Sequence, residues 1–280
     1  MDLLELNQFP SVAANSIASL VTRELLGRSL YALIFVQGGT FTKAHITDLR
    51  IGMSNKDFVE GITGTQLQSL NTRAGQSDTT NYLVHYFGDP TARTIRGQHA
   101  GDLDMSIYDA PLEIEVAIGA ATSPTMQCWA LVGPPKLQMN IGYNDLDALT
   151  VRAMIRSVLQ PSAAVTRKSF EIGLGSEAGA RIRSLNFFHT NLTSVEFKKR
   201  SESLHDDVPI ALNNFVQTEN ARAPQSGLYV LDRIVDGNQG EAQSTVDANG
   251  NPLPFQVNVT TSAADTIKTF ADVHTLLNLI

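Results

Sequence analysis

The acidic side chains of residues 102–113, DLDMSIYDAPLE, come closest in type and spacing to a calcium-binding loop. Asp102 and Asp104 fall at the first and third ligand positions of an EF-hand, and Glu113 falls at the twelfth. The sixth position, however, is Ile107, where the sharp turn of that loop needs glycine. The segment is therefore not an EF-hand, and we expect at most an irregular calcium site that uses Asp102 and Asp104.

The histidines and the known catalytic strings give no sign of a catalytic centre. The six histidines are scattered singly, at His45, His85, His99, His189, His205 and His274. A cupin-type metal site needs two histidines one residue apart on a strand, and the sequence contains no such pair. No GxSxG, HExxH, CxxC or P-loop string occurs either. The sequence therefore predicts a protein that is not an enzyme and that holds no catalytic or cofactor-binding residues.

Cysteine and glycine usage points the same way. Cys128 is the single cysteine and lies in a predicted strand beside Trp129, which is typical of a small core residue rather than a nucleophile. One cysteine forms no internal disulfide, and this usage fits a reducing compartment. The glycine-rich stretch 173–179, GLGSEAG, lacks both GxGxxG spacing and the lysine of a P-loop, so we predict a turn there.

The composition is that of a folded protein with an acidic balance. Of the 280 residues, 42% are hydrophobic and 18% are charged, and the net charge is −7. This balance argues against a broad nucleic-acid-binding surface, which needs a basic stripe. The one dense basic run, FKKRSE at 197–202, is mixed with Glu196 and Glu202, so we interpret it as a solvated rim. We expect no signal peptide, because the first ten residues lack a basic region, and no apolar segment long enough to span a bilayer.

Alternation of apolar and polar residues predicts strands through most of the chain. The expected strands are 28–37, 44–53, 81–87, 111–119, 125–132, 167–174, 180–190, 192–200, 227–235, 253–261 and 266–274. Two short helices are expected, one at 65–73 with Thr65 as its N-cap and Gly75 at its end, and one near 208–220 with Asp207 as its N-cap. The polar stretch 88–104 is a long predicted loop, of a kind that is usually functional or projecting.

These elements predict an all-β protein made of two tandem jelly-roll β-sandwiches, each with a short inserted helix. We place the first jelly roll at 1–135, a linker at 136–163 and the second jelly roll at 164–280. Within the linker, the roughly helical spacing of apolar residues over 144–160 favours a helix capped by Asn144 or Asp145. The string VRAMIRSVL in that stretch is also compatible with an edge strand.

The second half of the chain matches the first as a diverged copy. The offset between matched residues is 146 for Ile46 and Leu192, and 141 for Trp129 and Phe270. The matched strings are LYALIFVQ (30–37) with IRSLNFFH (182–189), HITDLRIG (45–52) with NLTSVEFK (191–198), QLQSLN (66–71) with PIALNN (209–214), LEIEV (112–116) with FQVNV (255–259), and QCWALV (127–132) with KTFADV (268–273). Alternating sequences align easily by chance, and a rival register that pairs Ile46 with Ile182 fits a short stretch. We favour the first register because it keeps every element in order.

Three stretches of the chain carry a resemblance to a known family. They are LLELNQFPSVAANS (3–16), LYALIFVQGG…HITDLRIGMSN…TGTQLQSLN (30–71) and ARIRSLNFFHTNLTSVEFKKR (180–200). Together they resemble the major capsid proteins of corticovirus-type phages, which are tailless, icosahedral and membrane-containing. The likeness extends through most of the chain and contains no catalytic signature.

This resemblance implies a structural protein of the virion, synthesised in the host cytoplasm. It implies a double jelly roll that associates into homotrimeric, pseudo-hexagonal capsomers, which tile an icosahedral shell over an internal membrane. The implied partners are further copies of the chain, neighbouring trimers, other capsid proteins such as a vertex protein, and the viral membrane, with no sequence-specific contact to nucleic acid. Calcium is used in some shells of this family, but no ligand motif is intact here. The alternative from the residues is a tandem jelly-roll carbohydrate-binding module, which would expose aromatic side chains on a polar face.

Overall fold

Strand Leu112–Ile118 shows how the alternating sequence becomes sheet structure. Within this strand Glu113 and Glu115 face outward, whereas Leu112, Ile114 and Val116 are fully buried. The side-chain period of a strand is two, so one face of this segment packs in the core and the other meets solvent. The computed structural model describes residues 1–172, 174 and 179–276, and they fall into two compact units, 1–153 and 154–275.

The first unit contains nine strands and three helices. The strands are β1 (Asp2–Glu5), β2 (Ser16–Thr22), β3 (Ser29–Gly38), β4 (Ile46–Met53), β5 (Lys56–Ile62), β6 (Tyr82–Tyr86), β7 (Leu103–Asp104), β8 (Leu112–Ile118) and β9 (Thr125–Gly133). The helices are α1 (Gly64–Arg73), α2 (Ile95–His99) and α3 (Asp145–Leu149), with two 3-10 turns at Lys43–His45 and Lys136–Gln138. One sheet has the order β1-β9-β3-β6, with β7 beside β3, and the other contains β5-β4-β8-β2.

The second unit repeats this plan. Its elements are β10 (Thr150–Leu159), β11 (Val165–Phe170), β12 (Arg181–Phe188), β13 (Leu192–Lys199), β14 (Glu202–Pro209), α4 (Ile210–Glu219), β15 (Leu228–Asp232), β16 (Gln243–Ser244), β17 (Phe255–Thr261) and β18 (Ile267–Leu276), with a 3-10 turn at Gln239–Glu241. One sheet contains β10-β18-β12-β15, with β16 beside β12, and the other has the order β11-β17-β13-β14. If the eight longer strands of each unit are numbered in chain order, both units have sheets 1-8-3-6 and 2-7-4-5, which is the jelly-roll order.

The strand register supports the favoured alignment of the two halves. Ile34 is opposite Trp129 in the first unit, and its match Asn186 is opposite Phe270 in the second. Likewise Leu49 is opposite Val116, and its match Val195 is opposite Val259. Matched residues therefore have matched cross-strand partners, although the offset between the halves changes from one loop to the next.

The helices depart from the alignment made from sequence. Helices α1 and α4 begin at Gly64 and Ile210, an offset of 146, whereas the sequence match of 66–71 with 209–214 implied 143. In each helix an amide side chain in the last turns donates to the middle of the next strand. Asn71 Nδ2 donates to the Val84 carbonyl at 2.7 Å, and Gln217 Nε2 donates to the Val230 carbonyl at 2.8 Å. These contacts fix the offset at 146, so the sequence register was wrong by three residues.

Both expected helix caps were also wrong. Helix α1 is capped by Thr63, whose hydroxyl accepts from Gln66 N–H while the Gln66 side chain accepts from Thr63 N–H, so the cap lies two residues before Thr65. At α4 the N-cap position is held by Pro209, and strand β14 continues up to it. The end of α1 is as predicted, because Gly75 follows it at φ +78°, a conformation that glycine adopts without strain.

The predicted helix over 144–160 is largely a strand. Asn144 caps a single helical turn, α3, and the chain then extends into β10. The pattern VRAMIRSVL satisfies both helical and strand spacing, and pairing in a sheet decides between them. The expected linker at 136–163 thus contains ten residues of sheet, and the division between the two units falls inside β10. The boundaries at 135 and 164 stay a prediction. Among the described residues, no helix is long and apolar enough to cross a membrane.

Candidate functional site

The two carboxylates predicted as calcium ligands lie in a buried polar cluster of the first unit. Asp102 and Asp104 lie at strand β7 and are each about 1% exposed. Asp104 Oδ1 accepts from the N–H and the hydroxyl of Ser106, at 3.0 and 2.6 Å, and its Oδ2 accepts from Lys136 N–H at 2.7 Å. Asp102 Oδ2 is 2.7 Å from His99 Nδ1 and accepts more weakly from the Ser29 hydroxyl at 3.4 Å. Both carboxylates are thus hydrogen-bonded to neighbouring groups of the protein.

Lys136 is the centre of this cluster, and its side chain is completely buried. Its ammonium group donates to three backbone carbonyls, those of Ala100, Asp147 and Thr150, at 3.0, 3.1 and 2.6 Å. An ammonium group has three N–H donors and no acceptor, so this geometry uses all of them. One side chain therefore joins the loop after α2 to the segment that leads from β9 into β10.

A second layer closes the cluster from the solvent side. Arg96 of α2 donates to Asp147 Oδ2 at 2.8 Å, and the Tyr143 hydroxyl donates to the Arg96 carbonyl at 2.5 Å. The Arg96 guanidinium also lies 5.6 Å from the centre of the Tyr143 ring, within the range of a cation–π contact. Asn144 and Asp147 cap α3 reciprocally and hold the Asp147 carboxylate in place.

Burial dominates the electrostatics of this cluster. Desolvation raises the pKa of Asp102, although the His99 hydrogen bond and the charge of Lys136 lower it in part. Desolvation lowers the pKa of Lys136 to about 8, against the opposing attraction of Asp102, Asp104 and Asp147. The charged groups are thus held close together at the cost of their hydration, which is the arrangement of a structural clamp.

The cluster offers little to a metal ion. Over residues 1–172, 174 and 179–276, no group of three or more histidine, cysteine or acidic side chains is placed to hold one. Of the four carboxylate oxygens of the pair, only Asp102 Oδ1 has no hydrogen-bond partner. A calcium role for Asp102 and Asp104 therefore stays a prediction that this geometry does not favour.

The remaining candidates from the sequence have structural roles where the structure describes them. Burial raises the pKa of the Cys128 thiol, which is fully enclosed in β9. His205 Nε2 is 2.7 Å from the Tyr229 hydroxyl, and burial followed by the nearby Arg233 charge lowers the pKa of His205 to about 4. In the basic run, Lys198 and Lys199 pair with Glu196 and Glu202 at 3.0 and 2.9 Å. Most of the glycine-rich turn predicted at 173–179 lies outside the described residues.

Sequence reasoning missed Lys136 altogether. It follows two prolines at the start of the predicted linker 136–163, and a single lysine in a loop is normally exposed. The residues that it joins are 11 to 36 positions away in sequence, so no local spacing pattern marks them. Only the fold brings them together.

Comparison with known proteins gives the identity of this fold. The model of the viral coat protein P2 N-terminal domain matches residues 3–133, and that of the viral coat protein P2 C-terminal domain matches residues 152–277. The chain belongs to the viral coat protein P2 family. No match was found among curated protein sequences.

Solved structures agree with the family assignment. The major capsid protein P2 from bacteriophage PM2 has a TM-score of 0.82 at 16% identity, over 98% of this chain and 97% of that one. The major capsid protein of Sulfolobus turreted icosahedral virus has a TM-score of 0.66 at 12% identity, over 99% and 97%. VP54 of PBCV-1 has a TM-score of 0.56 at 9% identity, over 98% and 95%. The double jelly-roll fold predicted from sequence is confirmed.

The coat-protein family also confirms the functional class. The chain is a corticovirus-type major capsid protein, with a structural and non-enzymatic role in the virion capsid, where it assembles with other components of the shell. The carbohydrate-binding alternative gains no support, because only Tyr82 and Phe215 are exposed aromatics among the large apolar side chains of the described residues. The buried cluster around Lys136 is then part of the framework of the coat protein.

Proposed function

We propose that three copies of this coat protein form a homotrimeric capsomer with a pseudo-hexagonal outline. The observation that carries the proposal is the duplication: each chain holds two units with the same sheet order and the same cross-strand partners. A threefold ring of such chains presents six similar units, and this suits hexagonal packing through repeated contacts.

In the proposed shell, many capsomers tile an icosahedral surface above an internal membrane and meet other capsid proteins, such as a vertex protein, at the corners. Support for the membrane and the vertex protein comes from the resemblance to corticovirus-type phages. Contacts between capsomers add to stability by mass action, since binding partners favour the folded state.

Light scattering coupled to size-exclusion chromatography tests the trimer directly. The chain has a mass of 30.4 kDa, so a trimer elutes at about three times this value, near 91 kDa. Negative-stain images of the same fraction are expected to show threefold particles with a hexagonal outline. A purely monomeric chain at every salt and calcium concentration would contradict the proposal.

The membrane is tested on particles purified from infected cells. If the shell encloses a bilayer, the particles contain phospholipid that a mild organic solvent extracts, and their buoyant density rises after extraction. Lipid-free particles of unchanged density would remove the membrane from the proposal and leave the trimer standing.

A further inference from the structure

Helix α4 has its polar and apolar sides reversed relative to an ordinary surface helix. Its inward side chains are the amides Asn213 and Gln217, which both donate to the Val230 carbonyl, at 3.1 and 2.8 Å. Three of its outward side chains are large and apolar: Leu212, Phe215 and Val216 are 52%, 60% and 43% exposed. A surface helix normally turns its apolar stripe toward its own core. We call these three residues the α4 face.

Helix α1 shows that the jelly roll does not require this face. At the offset of 146 fixed by the amide contacts, Gln66 and Ser69 of α1 hold the positions of Leu212 and Phe215. The third residue of the face, Val216, corresponds to Leu70, which is apolar as well. The same supersecondary unit therefore folds with polar residues at two of the three positions. Leu212 and Phe215 are an addition to the second unit, and contiguous exposed apolar residues mark interaction sites.

A second apolar face occurs on the first unit, again without a counterpart. Exposed and buried residues alternate along β2, as in a strand with one face in the core. Ile17 and Val21 lie on its exposed side and are 63% and 61% exposed. β2 is the end strand of its sheet. The matching strand of the second unit is β11, where all of the exposed residues, 166–169, are polar. We call Ile17 and Val21 the β2 face.

We propose that the α4 face of one copy packs on the β2 face of the next copy around the ring. This inference rests on the proposed homotrimer. A ring built by rotation has heterologous contacts, so each chain must carry two different, complementary surfaces, one for each neighbour. The α4 and β2 faces fit this demand, because Leu212 and Phe215 of the first, and Ile17 and Val21 of the second, have no exposed apolar counterpart in the other unit. Permanent interfaces are also more apolar than ordinary surface.

The composition of α4 argues against a lipid surface as the occupant. Helices that lie in a membrane interface carry lysine or arginine on their polar side, next to the anionic head groups. Residues 210–219, IALNNFVQTE, contain neither, and their one charged residue is Glu219. An apolar protein surface of matching character, such as the β2 face, is the better partner.

The first test replaces two residues of the α4 face, Leu212 and Phe215, with the residues that α1 carries at those positions. Leu212→Gln together with Phe215→Ser is expected to raise the dissociation constant of the trimer by at least roughly 30-fold, because buried aromatic anchors dominate interface energies. The matched control is Ile95→Gln, an equally exposed residue on α2 outside both faces. Circular dichroism and the thermal unfolding midpoint check that each variant is folded. If the double variant forms a trimer with the dissociation constant of the wild type, the inference is overturned and the proposed trimer stays intact.

The second test assigns the partner surface. Phe215→Glu and Ile17→Lys are each expected to dissociate the trimer, and the chain that carries both is expected to reassemble at low salt, since the new charges meet across the interface. Failure of Ile17→Lys to dissociate the trimer, or failure of the double variant to recover it, would overturn the pairing. A wild-type chain that is monomeric from the start would instead refute the proposed function. A flotation assay with phosphatidylglycerol vesicles tests the membrane as an alternative partner. If the Phe215→Glu variant still forms trimers but no longer floats with the vesicles, the pairing is likewise overturned, in favour of a membrane.

Discussion

Replacement of Lys136 by methionine is the sharpest probe of the buried cluster. Methionine keeps most of the length and apolar stem of lysine but donates no hydrogen bond, so the carbonyls of Ala100, Asp147 and Thr150 lose a donor that now lies 2.6–3.1 Å away. Each unsatisfied buried acceptor costs about 1–3 kcal/mol. Removal of one partner from a buried charged group costs about 3–5 kcal/mol in measured cases. We expect Lys136→Met to lower the free energy of unfolding by about 3–5 kcal/mol.

The loss is expected to be local before it is global. Lys136 joins the loop after α2 to the segment before β10, so amide hydrogen exchange is expected to accelerate in peptides covering 95–104 and 136–150. Urea unfolding of the same sample gives the change in free energy. The control is Lys168→Met, an exposed lysine on β11 whose ammonium group lies 5.3 Å from the centre of the Phe170 ring, and this change is expected to alter the unfolding free energy by less than about 1 kcal/mol. If both variants unfold at the same urea concentration and exchange at the same rate, Lys136 does not hold these segments together.

Three further predictions follow from the same structure. The pKa of Lys136 is about 8 in the folded chain and 10.5 for an ordinary lysine, so between these pH values the unfolded chain binds more protons than the folded chain. The wild type is therefore expected to gain stability relative to Lys136→Met as the pH rises from 8 to 10.5. Parallel pH profiles of urea unfolding for the two proteins would contradict this. Thr63→Ala is expected to cost about 1 kcal/mol in thermal unfolding, and Thr65→Ala clearly less, because Thr63 caps α1; equal effects would contradict this cap. Cys128 is expected to react with a thiol reagent only after denaturation, since the thiol is buried and its pKa is raised; rapid labelling of the native chain would show that β9 opens.

The strands that alternate cleanly were predictable from sequence. Leu112–Ile118 and Thr125–Gly133 have regular burial patterns and lie where they were expected. Strands β5 and β14 were missed, because KDFVEGI and ESLHDDVP do not alternate in the same way. In β14 the charges point outward at a sheet edge, which a search for apolar alternation passes over. Local patterning thus identifies many strands with one buried face, although β2 was missed despite its alternating burial, and it fails where charged residues interrupt the alternation.

Longer-range features were not accessible from sequence patterns. Asp102 and Asp104 were selected for the spacing of their carboxylates, yet their environment is set by Lys136, more than 30 residues away. The choice between helix and strand at 150–159 was likewise decided by pairing in a sheet, since the apolar residues there satisfy both periods. In each case the deciding interaction is tertiary, so the residue types alone left the outcome open.

The duplication separates what the jelly roll needs from what assembly adds. Contacts that maintain the fold recur in both units in equivalent places, as with the amides of Asn71 and Gln217 and the carbonyls that they bind. Buried positions are constrained by packing, because their neighbours fix their volume and polarity. Outward positions have no such constraint from their own unit. A difference there, such as Phe215 against Ser69, therefore has to be explained by something outside the unit, and for a coat protein that is the next molecule in the shell.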